Sequence, residues 1–247
     1  MSSSARSSFM RGLKDSIPIA LGYLSVSFGF GIMAVNNGLS VFAAVLISMT
    51  NLTSAGQVAG LTVIASNGGM FEMAIAQLVI NLRYSLMSLS LSQKLDSRFT
   101  RLSRMAVSFG ITDEIFAVAS GKSEEVSKHY MAGLISLPWV GWSLGTLLGA
   151  AAGELLPEKL KAALGIAIYG MFIAIFVPAA RKAVGVLIVV IIAVAASCCL
   201  RYIPLFSGIS EGFAIIICTV IAAAAGALFF PVAQDKPDEQ QEGGGEQ

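Results

Sequence analysis

Charge is what this sequence has least of. Of its 247 residues only 13% are Asp, Glu, Lys or Arg, against about 25% in soluble domains, while 55% are apolar and the mean hydropathy is +0.78. That balance excludes a soluble globule and leaves a polytopic helical membrane protein. The net charge of +1 comes with no basic arm and no interleaving of basic and aromatic residues, which removes nucleic acid from the partners. The single histidine, His129, stands in the link KSEEVSKHY without H-E-x-x-H spacing, so there is no zinc site and no metal peptidase. The segment FSGISEG (206–212) departs from G-x-S-x-G and has no base beside it. The three cysteines, Cys198, Cys199 and Cys218, lie inside apolar runs in no pairing pattern and read as buried thiols. No cofactor is implied and the chain does not read as an enzyme, so transport becomes the leading class.

What the chain has in quantity is apolar sequence, in eight stretches near 17–35, 41–66, 70–92, 105–120, 130–152, 160–179, 183–200 and 209–230. A helix crosses the hydrocarbon with about 20 such residues, and two stretches are wrong for that task. Residues 41–66 are interrupted at their centre by Thr50, Asn51, Thr53, Ser54, Gly56 and Gln57, and residues 105–120 are short and carry Asp113 and Glu114. Lysines and arginines favour the cytoplasmic side, and their distribution ranks the topologies. If all eight stretches cross, the two sides hold 8 and 7 basic residues; if the two irregular stretches enter and return, they hold 12 and 3. The expectation is therefore an all-α membrane protein with six full spans, two broken or re-entrant segments and both termini in the cytoplasm. Residues 1–16 read as a cytoplasmic segment, 17–230 as the membrane domain, and 231–247 as an acidic, glycine-rich tail that cannot bury a core. Gly29, Gly31 and Gly38 also echo Gly145, Gly149 and Gly153 as a faint internal repeat. Trp139 and Trp142 suit an interfacial belt.

Polar side chains at membrane depth need a partner, a water-filled cavity or a function. In SMTNLTSAGQ (48–57) the side chain of Asn51 and its hydroxyl neighbours compete with the helix for backbone groups. Such a break frees amides at one half-helix and carbonyls at the other, ends suited to a carboxylate and a cation. In NLRY (81–84), Arg83 lies nine residues from Ser92, about 13 Å of helix, too deep to snorkel out easily. Gln77, Asn81, Ser85, Ser88 and Ser92 draw one polar stripe at helical spacing. In TDE (112–114) the adjacent carboxylates project about 100° apart, so one can pair with Arg83 while the other faces a cavity and changes protonation. Glu72, just after Asn67, Gly68 and Gly69, reads as an interfacial acid at a helix N-terminus. Each of these sites also has a purely structural reading, as a kink, a packing stripe or an ion pair.

Four motifs in order, IPIALGYLSVSFGFG (17–31), SAGQ (54–57), NLRYSLMSLS (81–90) and ITDEIFAVAS (111–120), resemble the AzlC family of branched-chain amino-acid exporters. The resemblance covers about residues 10–230, and its C-terminal half rests on apolar character more than on motif. It implies a bacterial inner-membrane permease exporting leucine, isoleucine, valine and sometimes methionine, driven by the proton gradient, with a small AzlD-like membrane subunit as partner. It brings Gln57, Asn81, Arg83, Tyr84, Asp113 and Glu114 into the candidate site, to which the break adds Asn51. Arg83 or the half-helix start near Gln57 would hold the substrate carboxylate. Asp113 or the carbonyls freed at Asn51 would hold the ammonium, and Asp113 and Glu114 would couple protons. A channel or carrier for another small solute, and a non-transporting assembly subunit, are the alternatives.

Overall fold

The computed structural model of the chain describes residues 3–153 and 156–231 and is helical throughout, with one isolated bridge between Leu95 and Val126. The helices are α1 (Ser3–Asn36), α2 (Val41–Thr50), α3 (Ser54–Ala65), α4 (Met70–Ser92), α5 (Arg101–Phe109), α6 (Asp113–Ser120), α7 (Lys128–Ala152), α8 (Glu158–Lys182), α9 (Val184–Tyr202) and α10 (Glu211–Phe229). Among the described residues, α1, α4, α7, α9 and α10 are long and apolar enough to cross a membrane. The 25 residues of α8 reach as far, about 37 Å at 1.5 Å per residue. The remaining four helices form two broken pieces at the positions expected. The tail read from the sequence at 231–247 lies, after Pro231, outside the described residues.

The fold is organised on one seam. Along α1 and α7 the partners advance together: Gly12 meets Tyr130 and Leu134, Ala20 meets Gly141, Leu24 meets Gly145 and Phe28 meets Gly149, so the two helices run parallel. The run GWSLGTLLGAAAG (141–153) places glycines four apart, the spacing that lets two backbones touch where apolar side chains would gain nothing over lipid. A Cβ on Gly141 would stand 2.6 Å from the carbonyl oxygen of Ala20. The glycine echo noted in the sequence is thus partly a contact, with Gly31 packed against Thr146 and Ala150. Helix α1 begins at Ser3, well before its apolar run. There Asp15 accepts hydrogen bonds from Lys122 and Tyr130, each at 2.7 Å.

Both broken pieces are hairpins that return to the side they came from. Descending α2 places Ala44 beside Ala34 and Ala150, Ser48 within 2.7 Å of Thr146, and Leu52 against Tyr23 and Trp142. Ascending α3 brings Leu61 back to the cluster that holds Ala44. The second hairpin enters from the opposite side, where Arg104 of α5 lies by Ser92 of α4 and by Leu95 just beyond it. Its tip is Gly110–Thr112, and α6 returns to Ser120, whose carbonyl oxygen accepts from Lys94 at 2.5 Å. The N-terminal end of α1, the second hairpin and the C-terminal end of α10 share one side, called the near side; the first hairpin opens on the far side. Helices α8 to α10 then pack around α1 and α4, with Glu72 of α4 buried against Gly212 of α10.

Candidate functional site

The first break forms as its residues dictate. Asn51 ends α2, and its side-chain oxygen accepts from the Thr53 amide at 3.0 Å, a turn that replaces a helical bond. Thr53 is the N-cap of α3 but makes no side-chain capping bond; its hydroxyl instead donates to Asn81 of α4 at 2.7 Å. Gln57, 2% exposed, donates to the Asn51 carbonyl and accepts from the Trp142 indole at 3.1 Å. The carbonyl that the sequence offered to an ammonium is therefore already occupied. Gln77 donates to the Gly56 carbonyl at 2.7 Å, and the upper part of the polar stripe thereby fastens α4 to α3.

The second break differs in chemistry. Thr112 caps α6, with Asp113 and Glu114 in the first turn, where carboxylates offset the helix dipole. Arg83 pairs with Asp113 at 2.8 Å, donates to the Tyr84 hydroxyl at 2.7 Å, and lies 4.7 Å from the centre of that ring. The Tyr23 hydroxyl stands 2.7 Å from Thr112 Oγ1 and 2.5 Å from Glu114 Oε2. Tyr23 in turn packs edge to face on Trp142, ring centres 5.2 Å apart.

The two tips meet at a cavity of about 390 Å³, within the range of small-molecule sites. Arg83, Tyr84, Asp113, Glu114, Thr112 and Tyr23 are its polar lining; Leu52, Val79, Ile80, Met171, Phe172 and Phe176 are its apolar lining. The first turns of α3 and α6 both border it through Ser54, Ala55, Asp113 and Glu114. Thr219 of α10 also borders a second cavity of about 580 Å³ that opens between α9 and α10 beside Arg201, Glu211 and Cys218.

The structure divides the residues singled out from sequence. Arg83, Tyr84, Asp113 and Glu114 come together on the cavity wall, whereas Asn51, Gln57 and Asn81 stand behind it and hold the first tip. Tyr23 was missed, although a phenol in the middle of the first apolar run was a signal of the kind used for Arg83. Trp142 corrects an expectation: it is 1% exposed in the core, and only Trp139, donating to the Met49 carbonyl at 3.0 Å, is half-buried. Glu72 stands in the first turn of α4 as expected of an acid at a helix N-terminus, but it is 5% exposed and accepts from Ser210. The cysteines are not buried either. Cys198 and Cys199 are exposed and Cys218 half-buried, because α9 lies at the rim of the bundle with no buried residue. Phe172 and Phe176 gave no signal, since apolar residues in a membrane helix look alike. Among the described residues no cluster of three or more His, Cys, Asp or Glu could hold a metal.

The model of the family described as AzlC protein matches residues 18–156, from the first crossing to the end of the seam. The chain belongs to the AzlC family. Its AzlC-family relatives include the inner membrane protein YgaZ of Escherichia coli (strain K12), 30% identical over 171 residues that cover 66% of this chain and 70% of that protein. An uncharacterized membrane protein of Archaeoglobus fulgidus is 32% identical over 172 residues, 69% and 75% of the two chains. A third, from Helicobacter pylori (strain 26695), is 28% identical over 153 residues, 59% and 66% of the two. No solved structure matches. The AzlC match contains both hairpins and every charged residue of the cavity, and it stops before α8.

Proposed function

We propose that this AzlC-family protein is the large subunit of a branched-chain amino-acid exporter of the bacterial inner membrane, working with a small AzlD-like membrane subunit and driven by protons. The observation that carries the reading is the mixed lining of the central cavity, where both signs of charge stand among apolar side chains. A zwitterion at membrane depth needs both ends neutralised, and an aliphatic side chain needs only an apolar surface. The carboxylate fits the first turn of α3, whose N-cap makes no side-chain capping bond and whose amides have no acidic residue to offset them. Arg83 adds positive charge beside it. The ammonium fits the α6 end, where Asp113 and Glu114 already cluster. If Arg83 turns to the solute carboxylate while Glu114 holds the ammonium, Asp113 loses the cation that keeps it ionised and takes a proton, which couples the two fluxes. Asn51, Gln57 and Asn81 hold the α3 end in place instead of touching the solute.

Leucine counterflow in proteoliposomes, with and without a co-purified small subunit, tests the reading. The Arg83→Ala variant should insert and purify normally yet lose counterflow by about 100-fold, the scale for truncating one partner of a poorly solvated charge pair. Normal export by this variant from cells loaded with a leucine-containing dipeptide would remove Arg83 from the mechanism. Absence of labelled-leucine exchange in the wild type, small subunit included, would end the branched-chain assignment.

A further inference from the structure

A displacement of 59 positions lays the second part of the chain on the first. Moved back by that amount, α4 (Met70–Ser92) falls on 11–33, within α1, and α5 (Arg101–Phe109) falls on 42–50, within α2. The tip Gly110–Thr112 falls on Asn51–Thr53, and α6 (Asp113–Ser120) falls on 54–61, within α3. No insertion or deletion is needed across a crossing helix, two half-helices and a break. The local chemistry follows: Leu52–Thr53 and Ile111–Thr112 each put an apolar residue before a threonine N-cap. Yet the first unit crosses from the near side and its hairpin hangs from the far side, and the second unit is upside down in both respects.

The bonds that hold the tips have the same relation. Thr53, at the first tip, bonds to Asn81 on the crossing helix of the second unit at 2.7 Å. Thr112, at the second tip, bonds to Tyr23 on the crossing helix of the first unit, also at 2.7 Å. Asn81 moved back by 59 is position 22, one residue from Tyr23. Each hairpin is thus tied to the other unit's helix, one tie at the hairpin that hangs from the far side and the other at the hairpin that hangs from the near side.

We infer that residues 11–61 and 70–120 form an inverted repeat, and that Thr53–Asn81 and Thr112–Tyr23 are its two equivalent latches, the first closing the cavity to the far side and the second to the near side. In an inverted repeat the two halves can exchange conformations, which turns one access state into the other. The halves are unequal here. The first hairpin is also held by Gln57 on Trp142 and Ser48 on Thr146, whereas α5 buries only Val107 and leaves a cavity of about 220 Å³ against α4. The first hairpin is thus the more firmly held of the two. The inference rests on the chain being a carrier, as proposed above, but not on which solute it carries.

Labelling from each side with a membrane-impermeant maleimide tests it, on the full chain in oriented vesicles. The three cysteines are replaced by serine, and Val79→Cys, on the cavity wall, serves as reporter. Thr53→Val should raise far-side relative to near-side labelling about fivefold, the population shift that follows from one hydrogen bond. Tyr23→Phe should shift the ratio the other way by a similar factor, and Thr53→Ser, which keeps the hydroxyl, should leave it unchanged. Should Thr53→Val fail to purify as a monodisperse protein, Asn81→Ala removes the same latch. Shifts in the same direction, no shift in either variant, or a reporter that reacts from neither side would overturn the inference. A negative leucine counterflow beside opposite labelling shifts would remove the substrate assignment and leave the latches standing.

Discussion

The cavity has two walls, and they are made differently. One, from α1, α4, α7 and the two hairpins, includes the α1–α7 seam packed backbone to backbone through Gly133, Gly141, Gly145 and Gly149 and carries all the charge. The other, from α8 and α10, contributes Met171, Phe172, Phe176 and Thr219; among the described residues of its layer α8 buries Ile168, α9 buries nothing and α10 only Gly212 and Ala222. The difference teaches where precision is needed. Charge recognition demands groups fixed within tenths of an ångström, so it sits beside a seam with no room to move. A greasy side chain asks only for area, and its wall can be held loosely.

The contrast can be broken most severely at the seam. Gly149→Leu would drive a side chain into the Phe28 backbone, where no rotamer change gives relief. The expected result is loss of monodisperse protein after detergent extraction, read by size-exclusion chromatography; a normal elution profile would mean that the seam is not fixed. A milder attack falls on the apolar wall. Phe176→Ala should leave the fold intact and reduce discrimination against aromatic amino acids by about tenfold, the worth of pocket volume in such sites, measured by competition against leucine counterflow. Unchanged selectivity would show that this wall does not read the solute. The smallest effect is expected at the rim, where Val194→Ala on α9, 57% exposed, should alter thermal stability by less than about 0.5 kcal/mol. A large loss there would mean that the outer layer is packed as firmly as the seam.

Much of this was legible in advance, and for identifiable reasons. Asn51 and the pair Asp113–Glu114 marked the two breaks because such residues cannot sit quietly in a lipid-facing helix, and the basic residues then set the hairpins on opposite sides. That Arg83 pairs with one of the two carboxylates followed from the cost of lone charge; that the partner is Asp113 did not. Trp142 did not, because an indole at a membrane interface and one bonded to Gln57 in the core occupy the same kind of apolar run. Nor did the division of labour between Gln57, which braces, and Asp113, which lines the cavity, since that depends on which way each helix face turns. The 59-residue register escaped notice because its two copies share spacing and little else: one tip reads NLTSAG, the other GITDEI.

A unit made of one crossing helix and a hairpin that turns back passes through the bilayer an odd number of times. Copied in tandem, such a gene segment inserts upside down without any change in its own folding instructions. A hairpin that crossed twice would have kept the number odd as well, but its tip would have emerged into water. Because it stops midway, head-to-tail copies deliver their tips to one depth from opposite sides. The next crossing, α7, is the third in line with α1 and α4, so it regains the heading of α1 and can lie against it glycine to backbone. Parity of crossings thus links the two-sided cavity to the rigid seam that supports it.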